Sequence, residues 1–70
     1  VKASFVMFEN NNSVNISARS LGEINVQIVM ETLGGGGHQT MAACQLKGYN
    51  NQDARTALIE AIDEFYNKNS

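Results

Sequence analysis

Apolar residues recur with a period of two near the start of the chain and with a period close to 3.6 further along, and this change divides the sequence into elements. Ala3-Ser4-Phe5-Val6-Met7-Phe8 is rich in β-favouring residues and largely apolar on both alternating faces, which predicts a strand covered on two sides. Glu9-Asn10-Asn11-Asn12-Ser13 reads as a turn, since Asn tolerates left-handed backbone angles and bonds its own main chain. Val14-Asn15-Ile16-Ser17-Ala18-Arg19 then alternates cleanly, with Val14, Ile16 and Ala18 on the core side and Arg19 on the wetter face. The two runs predict a β-hairpin. Ser20-Leu21-Gly22-Glu23 has the spacing of a capping box. Beyond it Val26, Val29, Met30 and Leu33 form an apolar stripe that Ile24 and Ile28 widen, with Glu23, Gln27 and Glu31 opposite; this predicts an amphipathic helix that Gly34 ends. His38-Gln39-Thr40-Met41-Ala42-Ala43 fits either a short helical turn or a close-packed connection, and Cys44-Gln45-Leu46-Lys47 a third strand. Asn51 is placed to cap a last helix from Gln52 to about Asn67, with a stripe of Ala54, Ala57, Leu58, Ala61, Ile62 and Phe65. The expected fold class is α+β: a single small domain over residues 1–70, ordered β-β-α-loop-β-α, with helices packed on a small sheet.

Composition narrows the function classes. At 43% hydrophobic and 17% charged residues the chain is globular rather than disordered. Its apolar runs are too short for a bilayer, and no basic, apolar and small-residue succession marks a signal peptide. A start at Val1-Lys2-Ala3 reads as a piece of a longer polypeptide. The single cysteine rules out an internal disulfide framework and fits a reducing compartment. The net charge of −2 argues against a broad electrostatic grip on long nucleic acid, so any phosphate must be held at a local site.

Gly34-Gly35-Gly36-Gly37-His38 is the least ordinary segment. Each ordered glycine costs roughly 0.5–1 kcal/mol more backbone entropy than alanine, so four in a row need a reason. A main chain without Cβ atoms approaches a ligand closely and aims several N–H groups at one anion, and a helix starting after the loop would add its positive end. The alternative is a flexible linker. The run lacks the lysine of a Walker A motif, and Gln39 stands where the dinucleotide fingerprint needs its third glycine. It contains G-x-x-G, the clamp of KH domains, trivially. His38 either bonds a nearby carbonyl or donates to phosphate. One His and one Cys fall short of a zinc ligand set, and a Cys44–His38 nucleophile pair competes with a core role for Cys44. Arg19 is either a surface ion-pair partner or a two-point phosphate fork, and Ser20 either caps the helix or shares the ligand. With ~11 helical residues the stretch from Ser20 to the glycines spans about 16 Å, so Arg19 meets the loop only if the loop and third strand fold back across the sheet.

Arg19-Ser20, the amphipathic helix, Gly34-Gly35-Gly36-Gly37-His38 and Ala42-Ala43, taken in that order, resemble the C-terminal DHH-associated domain of DHH-family phosphoesterases. Within it Leu33 to Leu46, with its His38-x-Thr40-x-Ala42-Ala43 stretch, is most similar to membrane-anchored cyclic di-AMP phosphodiesterases; Cys44 stands where other branches more often carry glycine. The resemblance implies a module that binds cyclic di-AMP or a related nucleotide. Arg19, Ser20, His38 and Gly34, Gly35, Gly36 and Gly37 would stand at phosphate, and Asn25 or Thr40 at a base edge. It implies no catalytic residue, metal or cofactor in this domain. Manganese is expected on an upstream DHH catalytic domain of the same chain, in a cytoplasmic part of a membrane-anchored protein, with no direct membrane contact here. The other function class is a non-enzymatic RNA-binding domain of KH-like or tRNA-synthetase type.

Overall fold

The computed structural model describes residues 2–68. Its elements are β1 (Ala3–Asn10), β2 (Ser13–Ser20), α1 (Val26–Thr32), β3 (Gly36–Gly37), β4 (Met41–Lys47) and α2 (Asn51–Lys68). The strands form one sheet in the order β1-β2-β4-β3, antiparallel at every pairing. The α+β class holds. Asn11 (φ 49) and Asn12 (φ 64) make the two-residue turn of the hairpin, with left-handed angles that asparagine tolerates and whose twist matches the strands. That turn fixes the register from Asn10↔Ser13 to Ala3↔Ser20.

Both helices cover one face of the sheet. Val14, Ile16 and Ala18 from β2 and Ala42, Cys44 and Leu46 from β4 meet Val26, Val29 and Met30 of α1 and Ala54, Leu58 and Ala61 of α2 in a single core. Fully burying an aliphatic side chain such as Ile16 or Met30 contributes about 1.5–3 kcal/mol, so the short α1 is held mainly by this packing. Among the described residues none forms a layer on the opposite face of the sheet, where Val6, Phe8, Ser17, Arg19, Met41 and Ala43 are exposed.

Four sequence expectations need correction. β1 is not covered on two sides: Ala3, Phe5 and Met7 pack against the core, whereas Val6 and Phe8 are 61% and 55% exposed. The Ser20–Glu23 capping box does not form. Ser20 remains the last residue of β2, its N–H bonding the Thr40 carbonyl at 2.9 Å and its Oγ accepting from the Gly22 N–H at 3.1 Å. Asn25 caps α1 instead, its Oδ1 accepting from the N–H groups of Gln27 (3.0 Å) and Ile28 (3.3 Å), while Glu23 pairs with Lys2. The segment after the glycines is not a helical turn: β4 begins at Met41, not Cys44, because 41–43 pair with β2 and 42–43 also pair with Gly36 and Gly37. The order is therefore β-β-α-β-β-α. Asn50, one residue earlier than expected, caps α2 through its Oδ1, which accepts from the Asp53 N–H at 2.8 Å.

Candidate functional site

Three of the four glycines answer to the fold itself. Gly34 takes φ +86 and its N–H bonds the Glu31 carbonyl, while the Gly35 N–H bonds the Met30 carbonyl at 2.8 Å; together they close the end of α1 in a Schellman motif. A Cβ on Gly35 would lie 2.2 Å from the Ala43 carbonyl oxygen and 2.5 Å from the Cys44 Cβ. On Gly37 (φ +147) it would lie 2.6 Å from the Ala42 Cα. These two positions are glycine because β3 is pressed against β4. Gly36 differs: its φ needs no glycine, and a Cβ there would meet nothing within 4 Å.

Gly36 opens onto the uncovered face. There Ser17, Ala18, Gly36, Gly37, Met41, Ala42 and Ala43 line a shallow hollow of about 340 Å³. Arg19 is the register partner of Met41, and directly opposed residues of an antiparallel pair share a face, so its exposed side chain stands at the rim. The His38 N–H donates to the Met41 carbonyl at 2.6 Å, which puts His38 on the other side of the same methionine. The loop has thus folded back across the sheet, and His38, just past β3, lies across Met41 from Arg19, two inter-strand spacings or about 10 Å away between backbones.

The remaining candidates lie elsewhere. Ser20, Asn25 and Thr40 surround a smaller cleft of about 170 Å³ at the end of the sheet, shared with Gly22, Glu23, Ile24 and Gln39. Ser20 is 8% exposed and follows the core-facing parity of Ala18, so it turns away from Arg19. Asn25 spends its Oδ1 on the helix cap. No basic residue lines this cleft, so it offers an anion no charge partner. Cys44 belongs to the core face and is 6% exposed; burial pushes its thiol up from the ordinary range and keeps it neutral, so it is not aligned as a nucleophile with exposed His38. Among the described residues no three of His, Cys, Asp and Glu are grouped to hold a metal ion, and no helix is long and apolar enough to cross a membrane.

Residues 1–68 match the DHHA1 domain. The chain belongs to this family. This DHHA1 domain is 55% identical over 67 residues to the cyclic-di-AMP phosphodiesterase GdpP of Bacillus subtilis and 52% identical over 67 residues to the cyclic-di-AMP phosphodiesterase PdeA of Listeria monocytogenes, each alignment covering 94% of the chain and 10% of the relative. It is 34% identical over 61 residues to the bifunctional oligoribonuclease and PAP phosphatase NrnA of Thermus thermophilus, covering 87% of the chain and 19% of the relative. The DHHA1 domain thus spans about a tenth of the length of the two phosphodiesterases. Sequence reasoning missed Ser17, Met41 and Ala43 as lining residues. The alternation of β2 already put Ser17 beside Arg19; Met41 and Ala43 needed the register of β4.

Proposed function

We propose that this domain is the substrate-gripping module of a cyclic di-AMP phosphodiesterase and has no catalytic activity alone. In this reading Arg19 and His38 hold phosphate at the rim of the hollow and the backbone at Gly36 approaches the nucleotide. The observation that carries it is Gly36, the glycine of the four that the fold does not require, set on open space on the same face as exposed Arg19, one row along and two strands across. The names of the relatives supply the nucleotide. The guanidinium suits the task because its planar fork meets two phosphate oxygens at once, whereas an ammonium is a single point charge. Among the described residues no three of His, Cys, Asp and Glu are grouped to hold a metal ion; in this reading the manganese and the hydrolytic step belong to a DHH domain elsewhere in the full-length, membrane-anchored protein, and this domain's residues only bind and orient. The net charge of −2 and the absence of a basic residue from 34–37 weigh against the KH-like reading.

The test is steady-state hydrolysis of cyclic di-AMP by the full-length protein. Hydrogen bonds to charged groups contribute about 1.5–3 kcal/mol, so Arg19→Ala is expected to lower kcat/KM roughly ten- to a hundredfold, with Arg19→Lys recovering only part. Wild-type kinetics for Arg19→Ala would refute the proposal.

A further inference from the structure

The phosphate residues account for only one end of the uncovered face. Along β2 the same face carries Arg19, then Ser17, then Asn15, and the cross-strand partners on β4 are Met41, Ala43 and Gln45. The next row inward from Arg19 runs from β1 to β3 as Val6, Ser17, Ala43 and Gly36. Ser17, Ala43 and Gly36 are small and make a flat stretch that ends against the exposed side chain of Val6. The row beyond it runs Phe8, Asn15 and Gln45, two facing carboxamides beside an exposed phenyl ring. From Arg19 to Asn15 the strand rises about 13 Å, roughly one nucleotide from phosphorus to the far edge of its base.

We propose that the hollow seats one purine base of the bound nucleotide flat on Ser17, Ala43 and Gly36, and that the Gln45 carboxamide, with Asn15 beside it, reads the edge of that base. This rests on the nucleotide reading above and adds the location and chemistry of base recognition. The hollow, about 340 Å³, is shallow and open, so it supports a base on one face only. Met41, 54% exposed, gives it a flexible thioether wall on the side toward the phosphate. A carboxamide carries a donor and an acceptor side by side, the pattern that matches the adenine N7 acceptor and N6 amino donor, and such a pair discriminates between bases by about tenfold or more. Gln45 lies one row beyond the hollow, on the side of the hairpin turn, and would swing from Ser13 toward the hollow to do this. It is exposed, and its Nε2 donates to Ser13 Oγ only over a long 3.5 Å, a contact readily exchanged for a base.

The experiment compares cyclic di-AMP with its bis-7-deaza analogue, which lacks the N7 acceptor, as substrates of the full-length protein. The wild type is expected to favour cyclic di-AMP by at least fivefold in kcat/KM, and Gln45→Leu to treat the two alike. Ala43→Leu, which places a branched side chain on the flat row at an exposed position, is expected to raise KM for cyclic di-AMP about tenfold with an unchanged melting temperature. Equal use of both substrates by the wild type, an undiminished preference in Gln45→Leu, or a wild-type KM in Ala43→Leu would overturn the base seat. Impaired Arg19→Ala alongside any of those results leaves the phosphate grip standing and removes only the base seat. Wild-type kinetics for Arg19→Ala, or no turnover of cyclic di-AMP by the wild type, removes both.

Discussion

Alanine at two adjacent glycines is expected to give opposite results, because one has no room for a methyl group and the other has nothing but room. At Gly35 the new Cβ would lie 2.2 Å from the Ala43 carbonyl oxygen, 2.5 Å from the Cys44 Cβ and 2.7 Å from its Cα. Two of these are backbone atoms of β4 and cannot rotate aside, so β3 and the end of α1 must move. Overpacking of this kind costs about 1–3 kcal/mol, and the rigidity of the obstacles places Gly35→Ala toward the top of that range. A domain of this size has a total stability of roughly 4–10 kcal/mol, and each kcal/mol shifts its melting temperature by about 4–8 °C. Gly35→Ala should therefore melt some 10–20 °C lower. At Gly36 the methyl group meets nothing, and replacing glycine in a strand removes up to about 1 kcal/mol of backbone entropy cost, so Gly36→Ala should melt at or slightly above the wild-type temperature. Thermal unfolding of both variants of the 70-residue chain, followed by far-ultraviolet circular dichroism, is the assay. A drop for Gly36→Ala as large as that for Gly35→Ala would show that all the glycines serve the fold, and the argument from Gly36 to a ligand would collapse.

The cap assignment predicts that Asn25→Ala costs about 1 kcal/mol, while Glu23→Ala, at the position where a capping box would need its acid, changes stability by less than half of that; urea unfolding midpoints separate the two. Burial raises the Cys44 thiol pKa, so the folded chain holds that proton more tightly than the unfolded one. The associated stability is complete below the ordinary thiol range near 8.5 and is lost as pH climbs through it toward the raised folded value. Cys44→Ala, though less stable overall, should show a shallower decline between about pH 8 and 10; equal slopes would count against a buried neutral thiol. Finally, the 70-residue chain with added manganese should not hydrolyse cyclic di-AMP, and manganese-dependent turnover abolished by His38→Ala would contradict the division of labour proposed here.

Where local pattern determines structure, the sequence was informative. The alternation at 14–19 placed Val14, Ile16 and Ala18 inward and Arg19 outward, and the apolar stripes located both helices. What local pattern could not supply was pairing. Whether 41–43 extend a strand depends on partners in β2 and β3, which are distant in sequence, and two glycines carry no β signal of their own. Ser20 satisfied the capping-box spacing, yet the strand bonds available on both sides outweigh one side-chain cap. The glycine run was conspicuous, but dividing it into three structural positions and one open position required the atoms of β4 around it. Asn25 and Thr40, expected at a base edge, lie outside the strands and line a different cleft with Ser20.

The strand order β1-β2-β4-β3 also sets an order of assembly. The β1–β2 hairpin closes over two residues and can form within microseconds, carrying Arg19, Ser17 and Asn15 from the outset. β2 must then find β4, and the Ser13↔Lys47 pairing encloses more than 30 residues, including all of α1 and the glycines. β3 has no partner but β4 and joins last. The row of Ser17, Ala43 and Gly36 therefore draws on both the hairpin and the edge glycine strand, so local opening of that strand removes the wall of the hollow while the hairpin and the core remain.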